Sequence, residues 1–398
     1  MMIFLAVLGA LLLAGALYVA RGFLLIAKAK RLTARAAAIE AETELLRAET
    51  ARMEAEQEAS EADEAAAKAA AVVALGYVPE SDLDTRYWAP VPAERTAVLA
   101  SVRTGDWAAG AAYVTAAGSD WEERWQRVVA LADLAAEEDD AWLLAWRAAH
   151  PEDPLAALVN AETGVRTAWN VRGRKGAAYT TAEQFRLFRE LLTKAQRDAH
   201  EAQSLADPAD PLPYMVEQHI AHGLGYPHAR YRALWAEITD RAPKVLSAHT
   251  HALEHWCQKW RGSHELALAF ARESAAAGAP GDLLTLLPLI AYFEQETHED
   301  DLLAETWYKE PEILAAADAA LEDLVAAETA DPADPRLPRM RHMLAFVLFW
   351  QDRDAEAVEQ FRQVDGHIGV IPWSYAANPR RRYTYARDWA VGVAHPDL

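Results

Sequence analysis

Hydrophobic and polar positions divide the chain into three materials. From Met2 to Ala20 no side chain is charged, and after Arg21 the run from Gly22 to Ala27 is apolar again. From Lys28 to Val73 there is neither Gly nor Pro, and Ala and Glu alternate with scattered Lys and Arg, which is strong helix composition. Leu32, Ile39, Leu46 and Met53 recur every seven residues, with Ala36, Thr43 and Thr50 between them as weaker seam positions. Gly76 to Pro92, GYVPESDLDTRYWAPVP, contains three prolines and reads as a hinge or short packing segment. From Ala93 onward the apolar residues return at helical spacing: Trp121, Trp125 and Val129, then Trp142 and Trp146. Val98, Leu99 and Val102 before Gly105, and Trp107, Ala111 and Val114 after it, predict two short helices. Such stripes belong to a core. The pattern predicts an all-α chain: residues 1–27 an anchor, 28–75 a helical stalk, 76–92 a linker and 93–398 a helical array.

Nineteen uncharged residues in a helix extend about 28 Å, close to the roughly 30 Å of a bilayer core. A cleaved secretory signal is the competing reading, and Ala14-Gly15-Ala16 has the small-x-small form of a cleavage site. The absence of Lys or Arg ahead of the run, and its continuation through Leu17, Tyr18 and Val19, favour an uncleaved anchor. Lys28, Lys30, Arg31 and Arg35 follow the span, so the positive-inside rule puts everything after them in the cytoplasm and the N-terminus outside. The expectation is a single-pass inner-membrane protein held by residues 2–27. The stalk, 28–73, leaves two readings open: a coiled-coil homodimer, or one solvated helix reaching on the order of 70 Å from the bilayer.

Within the array an acidic-proline turn recurs: His150-Pro151-Glu152-Asp153-Pro154, Asp207-Pro208-Ala209-Asp210-Pro211 and Asp331-Pro332-Ala333-Asp334-Pro335. Proline ends one helix, Asp caps the next, and a second proline is tolerated in its first turn. Smaller turns join helices within units. Val245–Trp260 turns at Gly262-Ser263 into His264–Ala277, and Arg339–Trp350 turns at Asp352-Arg353-Asp354 into Ala355–Val364.

That last pair, an aromatic-rich helix, a polar turn and Ala355-Glu356-Ala357-Val358-x-x-Phe361, resembles a tetratricopeptide unit. Trp256-x-x-Lys259-Trp260-x-Gly262-Ser263 and Pro372-Trp373-Ser374-Tyr375 resemble segments of uncharacterised membrane-anchored bacterial helical-repeat proteins. The resemblance covers most of 93–365 loosely, without the full repeat consensus. It implies a tetratricopeptide-like α–α superhelix with a concave face for a protein or peptide.

The net charge of -21 is unevenly placed, with -4 on residues 1–92 and -17 on the rest. An acidic array repels phosphates, which argues against nucleic acid as a partner. All 14 Trp lie at or after Trp88, so the apolar fraction of the array is aromatic while that of the N-terminus is aliphatic. The one cysteine, Cys257, cannot form an internal disulfide.

The sharpest candidate chemistry is His251-Ala252-Leu253-Glu254-His255, the H-x-x-E-H order of inverzincin peptidases. His251 and His255 at i and i+4 share a helix face and would ligate Zn²⁺, with Glu254 as the base. Against it, no partner motif for a further ligand follows, and Trp256 and Trp260 put core on the same helix. Trp256, Lys259 and Trp260 are candidate groove residues. Arg380, Arg381 and Arg382 form a basic cluster that would dock an acidic partner or a lipid head group. Arg172-Gly173-Arg174-Lys175-Gly176 lacks P-loop order and reads as a solvated loop. The reading is therefore a membrane-tethered adaptor without a cofactor. The alternatives are a zinc-dependent hydrolase and a structural spacer that oligomerises through its stalk.

Overall fold

The computed structural model describes residues 1–173 and 180–396. Among these the chain is helical with no strand, and it divides into two compact units, Met1–Ala71 and Val72–Leu398.

The first unit lies within a single helix, α1 (Met2–Ala74). The apolar stretch and the Ala- and Glu-rich stretch after it are continuous because nothing from Lys28 to Val73 breaks the helix. Its described side chains are almost all exposed. The stretch Leu5–Arg35, of mean hydropathy 2.0, is long and apolar enough to cross a membrane.

The second unit holds α2 (Ala93–Arg103), α3 (Trp107–Thr115), α4 (Trp121–Glu137), α5 (Ala141–Ala149), α6 (Pro154–Arg172) and α7 (Ala182–Leu205). It continues with α8 (Leu212–Leu224), α9 (His228–Arg241), α10 (Leu246–Trp256), α11 (His264–Ala277), α12 (Leu286–His298) and the single turn α13 (Ala304–Trp307). The last four are α14 (Pro311–Ala330), α15 (Leu337–Trp350), α16 (Asp354–Val364) and α17 (Pro379–Ala394). Neighbours in sequence pack on one another: α6 on α7, α7 on α8, α11 on α12, α15 on α16 and α16 on α17. Each helix lends one apolar stripe, and these merge into a continuous core that includes Trp125, Trp146, Tyr231, Phe293, Phe346 and Trp373.

The three acidic-proline turns share one construction. Asp153, Asp210 and Asp334 accept the backbone N–H of Leu155, Leu212 and Arg336 at 2.9, 2.8 and 2.8 Å. The two DPADP copies match further: Asp207 and Asp331 accept from the N–H of Ala209 and Ala333 at 2.8 and 2.9 Å. Asp153 and Asp210 thereby satisfy donors in the first turns of α6 and α8, while Asp207, Asp331 and Asp334 brace the turns that lead into α8 and α15.

Residues 76–92 are a strap bound along the C-terminal helices, not a free hinge. Asp84 and His367 form a parallel bridge, with Asp84 N–H donating to Gly366 at 2.8 Å and Ile368 N–H to Asp84 at 2.7 Å. Gly369 N–H donates to Tyr87 at 2.8 Å. Arg387, 1% exposed, donates to the Val78 carbonyl at 2.7 Å and to Asp365 at 2.9 Å. Tyr77 and Leu83 are buried. The strap thus ties the start of the second unit to its last helices.

Candidate functional site: a polar cleft between the helices

Side chains from α2, α4, α6, α10 and α15 face one cleft of about 570 Å³, and Arg86, Tyr87 and Trp88 of the strap form one wall. Trp125 and Trp169 supply aromatic surface, and Ser247 and Asn170 supply uncharged polar groups. Most charge in the cleft is internally compensated. Arg86 meets Glu137 at 2.7 Å, and Arg103 grips Glu138 with two nitrogens at 2.6 and 2.8 Å. Arg166 reaches Glu162 at 2.7 Å and Asp133 at 3.3 Å. Burial pushes the Asp133 carboxyl up despite Arg166. The same burial acts on Glu162, but Arg166 and His219 outweigh it and hold that carboxyl below its ordinary range. Behind this layer His219 Nδ1 stands 3.8 Å from Glu162 Oε2, and His251 Nδ1 and His222 Nε2 are buried without a hydrogen-bond partner among the described residues.

The H-x-x-E-H residues face different neighbours. His251 packs edge-on to His219, ring centres 4.1 Å apart, and near Trp125. His255 stacks face to face on Tyr231 at 3.7 Å with planes 4° apart. Glu254, its side chain 45% exposed, lies 3.7 Å from His222 Nδ1. Among the described residues no group of three or more His, Cys, Asp or Glu is arranged to hold a metal ion. Burial, with His219 adding like charge, drives His222 and His251 well below the ordinary imidazole range, and burial pulls His255 down to about 4. These rings are neutral near pH 7, as aromatic packing requires.

The expected groove residues separate. The helix that should have run to Trp260 ends at Trp256, and the turn folds back so that Gly262 N–H donates to the Cys257 carbonyl at 3.2 Å. Trp256 is consequently in the core, 6% exposed, beside Tyr231 and Phe270. Trp260 stands edge-on to the cleft residue Trp169 at 5.7 Å. Lys259 is committed internally, 2.6 Å from Glu294, which also accepts from Tyr375 at 2.6 Å. Burial works against its charge, but Glu254 and Glu294 raise its proton affinity beyond the ordinary lysine value.

The three arginines do not act as one patch. Arg380 donates to the Leu83 carbonyl at 2.9 Å. Arg381 is exposed. Arg382 lies over the Phe346 ring at 4.8 Å, where burial lowers its proton affinity although Glu296 opposes. Of the glycine loop, residues 174–176 lie outside the described residues. Sequence reasoning missed Arg95, Arg166 and Arg339, single arginines on three helices with no motif around them.

No protein-family model matches the chain, and neither a curated protein nor a solved structure does so.

Proposed function

We propose that this is a membrane-anchored binding protein whose helical domain, a tetratricopeptide-like α–α array, holds a peptide or a segment of a protein partner. The cleft carries this reading. It is walled by Trp125 and Trp169, and its three carboxylates are already paired with Arg86, Arg103 and Arg166, as in a recognition surface rather than a reaction centre. The apolar stretch within Leu5–Arg35 supplies the anchor, and the basic residues Lys28, Lys30, Arg31 and Arg35 favour a cytoplasmic domain at the inner membrane. Pairing of the stalk through residues 28–73 would present two clefts together, and anchoring raises the effective concentration of the partner near the bilayer.

The test is selection of short randomised peptides on the full chain in lipid nanodiscs. Enriched peptides should lose binding to Asn170→Trp, which fills the cleft from an exposed position, while its thermal midpoint stays unchanged. Peptides that bind this variant as well as the original chain would overturn the reading. Protease added outside intact cells should leave the tryptophan-rich domain uncut, and digestion there would reverse the topology.

A further inference from the structure

Five arginines line the cleft against three carboxylates, Asp133, Glu137 and Glu138. Arg86, Arg103 and Arg166 are paired with them. The remaining two, Arg95 and Arg339, have no carboxylate within ion-pair distance among the described residues. Both are held over aromatic rings of the strap instead. The Arg95 guanidinium lies 5.7 Å from the centre of Tyr87, and that of Arg339 lies 5.4 Å from the centre of Trp88. A guanidinium resting on a ring is held by its face, which leaves its in-plane N–H donors free for a further acceptor. Arg95 Nε is buried without any partner. Among the described residues the side chain of Arg339 makes one hydrogen bond, a 3.3 Å contact with the Ser247 hydroxyl. Burial lowers the proton affinity of Arg339 although Glu122 and Glu254 oppose it, so its charge is under-compensated.

We infer that Arg95 and Arg339 receive a carboxylate, the free C-terminal carboxylate of a peptide lying in the cleft. The inference rests on the peptide-binding reading above and supplies its anchor point. Three further observations fit this occupant. Both arginines also line a second cavity of about 380 Å³, whose own carboxylates, Glu122, Glu123, Glu328 and Asp334, are accompanied by the further cations Arg336 and Arg341. Pro90, Pro92, Pro332, Pro335, Leu337 and Tyr113 wall that cavity and make an apolar seat beside the charge. Within the cleft lining the excess is two guanidiniums, matched to one planar anion with two acceptor oxygens and not to a polyanion, which a chain of net charge -21 would repel. The neighbouring ion pairs are closed, so no other cation in the cleft competes for the anion.

The probes are short randomised peptides made twice, with a free C-terminal carboxylate and with a C-terminal amide, bound to the full chain in nanodiscs. The free acids should bind about tenfold or more tightly than the amides, the scale of one charge-assisted hydrogen-bond set. This comparison needs no variant and is therefore independent of folding. Arg339→Gln and Arg95→Gln should each abolish the discrimination, and Arg339→Lys should restore only part of it because the fork is lost. Equal binding of acids and amides would overturn the carboxylate site and leave the peptide-binding reading standing. Binding of neither series would overturn both. Inorganic phosphate that displaces the peptides and stabilises the chain, while acetate does neither, would also overturn the carboxylate assignment.

Discussion

The indole Nε1 of Trp373 donates to Nδ1 of His342 at 3.0 Å, and both residues are wholly buried. An indole nitrogen can only donate, so Nδ1 of His342 carries no proton and Nε2 does. That Nε2–H lies 3.1 Å from the carbonyl of Trp88. One neutral imidazole therefore links the C-terminal turn Trp373–Tyr375, helix α15 and the strap residue whose ring carries Arg339. Its tautomer is set by its partners.

Stability should accordingly depend on pH through His342. Burial lowers its pKa to about 4, against the ordinary 6.5, with the Trp88 contact opposing the shift. Between these values the unfolded chain binds the proton and the folded one does not. The contribution is complete above pH 6.5, falls as pH drops, and is gone below about 4, amounting to about 3 kcal/mol. Urea unfolding at pH 7.5 and pH 5 measures it. His342→Gln, whose amide donates and accepts without titrating, should lose close to one proton of the pH slope.

The strap also depends on a glycine. A Cβ at Gly369 would stand 2.4 and 2.5 Å from the carbonyl carbon and oxygen of Arg86 and 2.6 Å from the nitrogen of Tyr87. All three are backbone atoms, so no side chain can turn aside. Gly369→Ala should cost about 2 kcal/mol or more, and it should open the Ile368 and Gly369 amides to hydrogen exchange before the rest of the domain. Normal protection at those amides would show that the strap tolerates the methyl group.

Helical periodicity and turn chemistry were readable wherever a local rule operates. Gly105 separates α2 from α3, and Asp153 caps α6 as the composition of its turn requires, whereas α8 and α15 start after Pro211 and Arg336, with Asp210 and Asp334 bracing the turns before them. What escaped is long-range. Asp84 and His367 meet across most of the chain, and GYVPESDLDTRYWAPVP has the prolines of a linker. Its surplus of Tyr77, Leu83, Tyr87 and Trp88 was the available sign that it buries surface. The Trp256 and Trp260 pair misleads because i, i+4 spacing implies a shared face only while the helix lasts. Here it stops at Trp256 without a proline to announce it. Arg95 and Arg339 come from different helices and are brought to one cleft only by the strap between them.

Metal analysis of the purified chain should find no stoichiometric zinc, and His251→Ala should leave the content unchanged. His251 and His255 serve separate aromatic contacts, with His219 and with Tyr231. A tetrahedral site needs its donors within about 2.0–2.3 Å of one point. One zinc per chain, lost in His251→Ala, would put the H-x-x-E-H alternative ahead of the adaptor reading.

The stalk is decided by a cysteine. Leu32, Leu46 and Met53 are 57%, 59% and 58% exposed along α1, and the side chain of Ile39 lies outside the described residues. A lone helix would leave this heptad row in water, whereas a second copy would cover it. Exposed pairs such as Arg52 with Glu56 at 2.7 Å add only a few tenths of a kcal/mol to either form. The chain suits the experiment because its native Cys257 is buried, and burial pushes its thiol well above the ordinary range, so it is inert to mild oxidation. Leu46→Cys in membranes should therefore form a disulfide-linked dimer, while Ala48→Cys, two residues off the seam, should form far less. Equal failure of both would make the stalk a single solvated helix. Equal success would point to collision in the bilayer rather than a register. Only the unequal result fixes a coiled coil with Leu46 facing its counterpart.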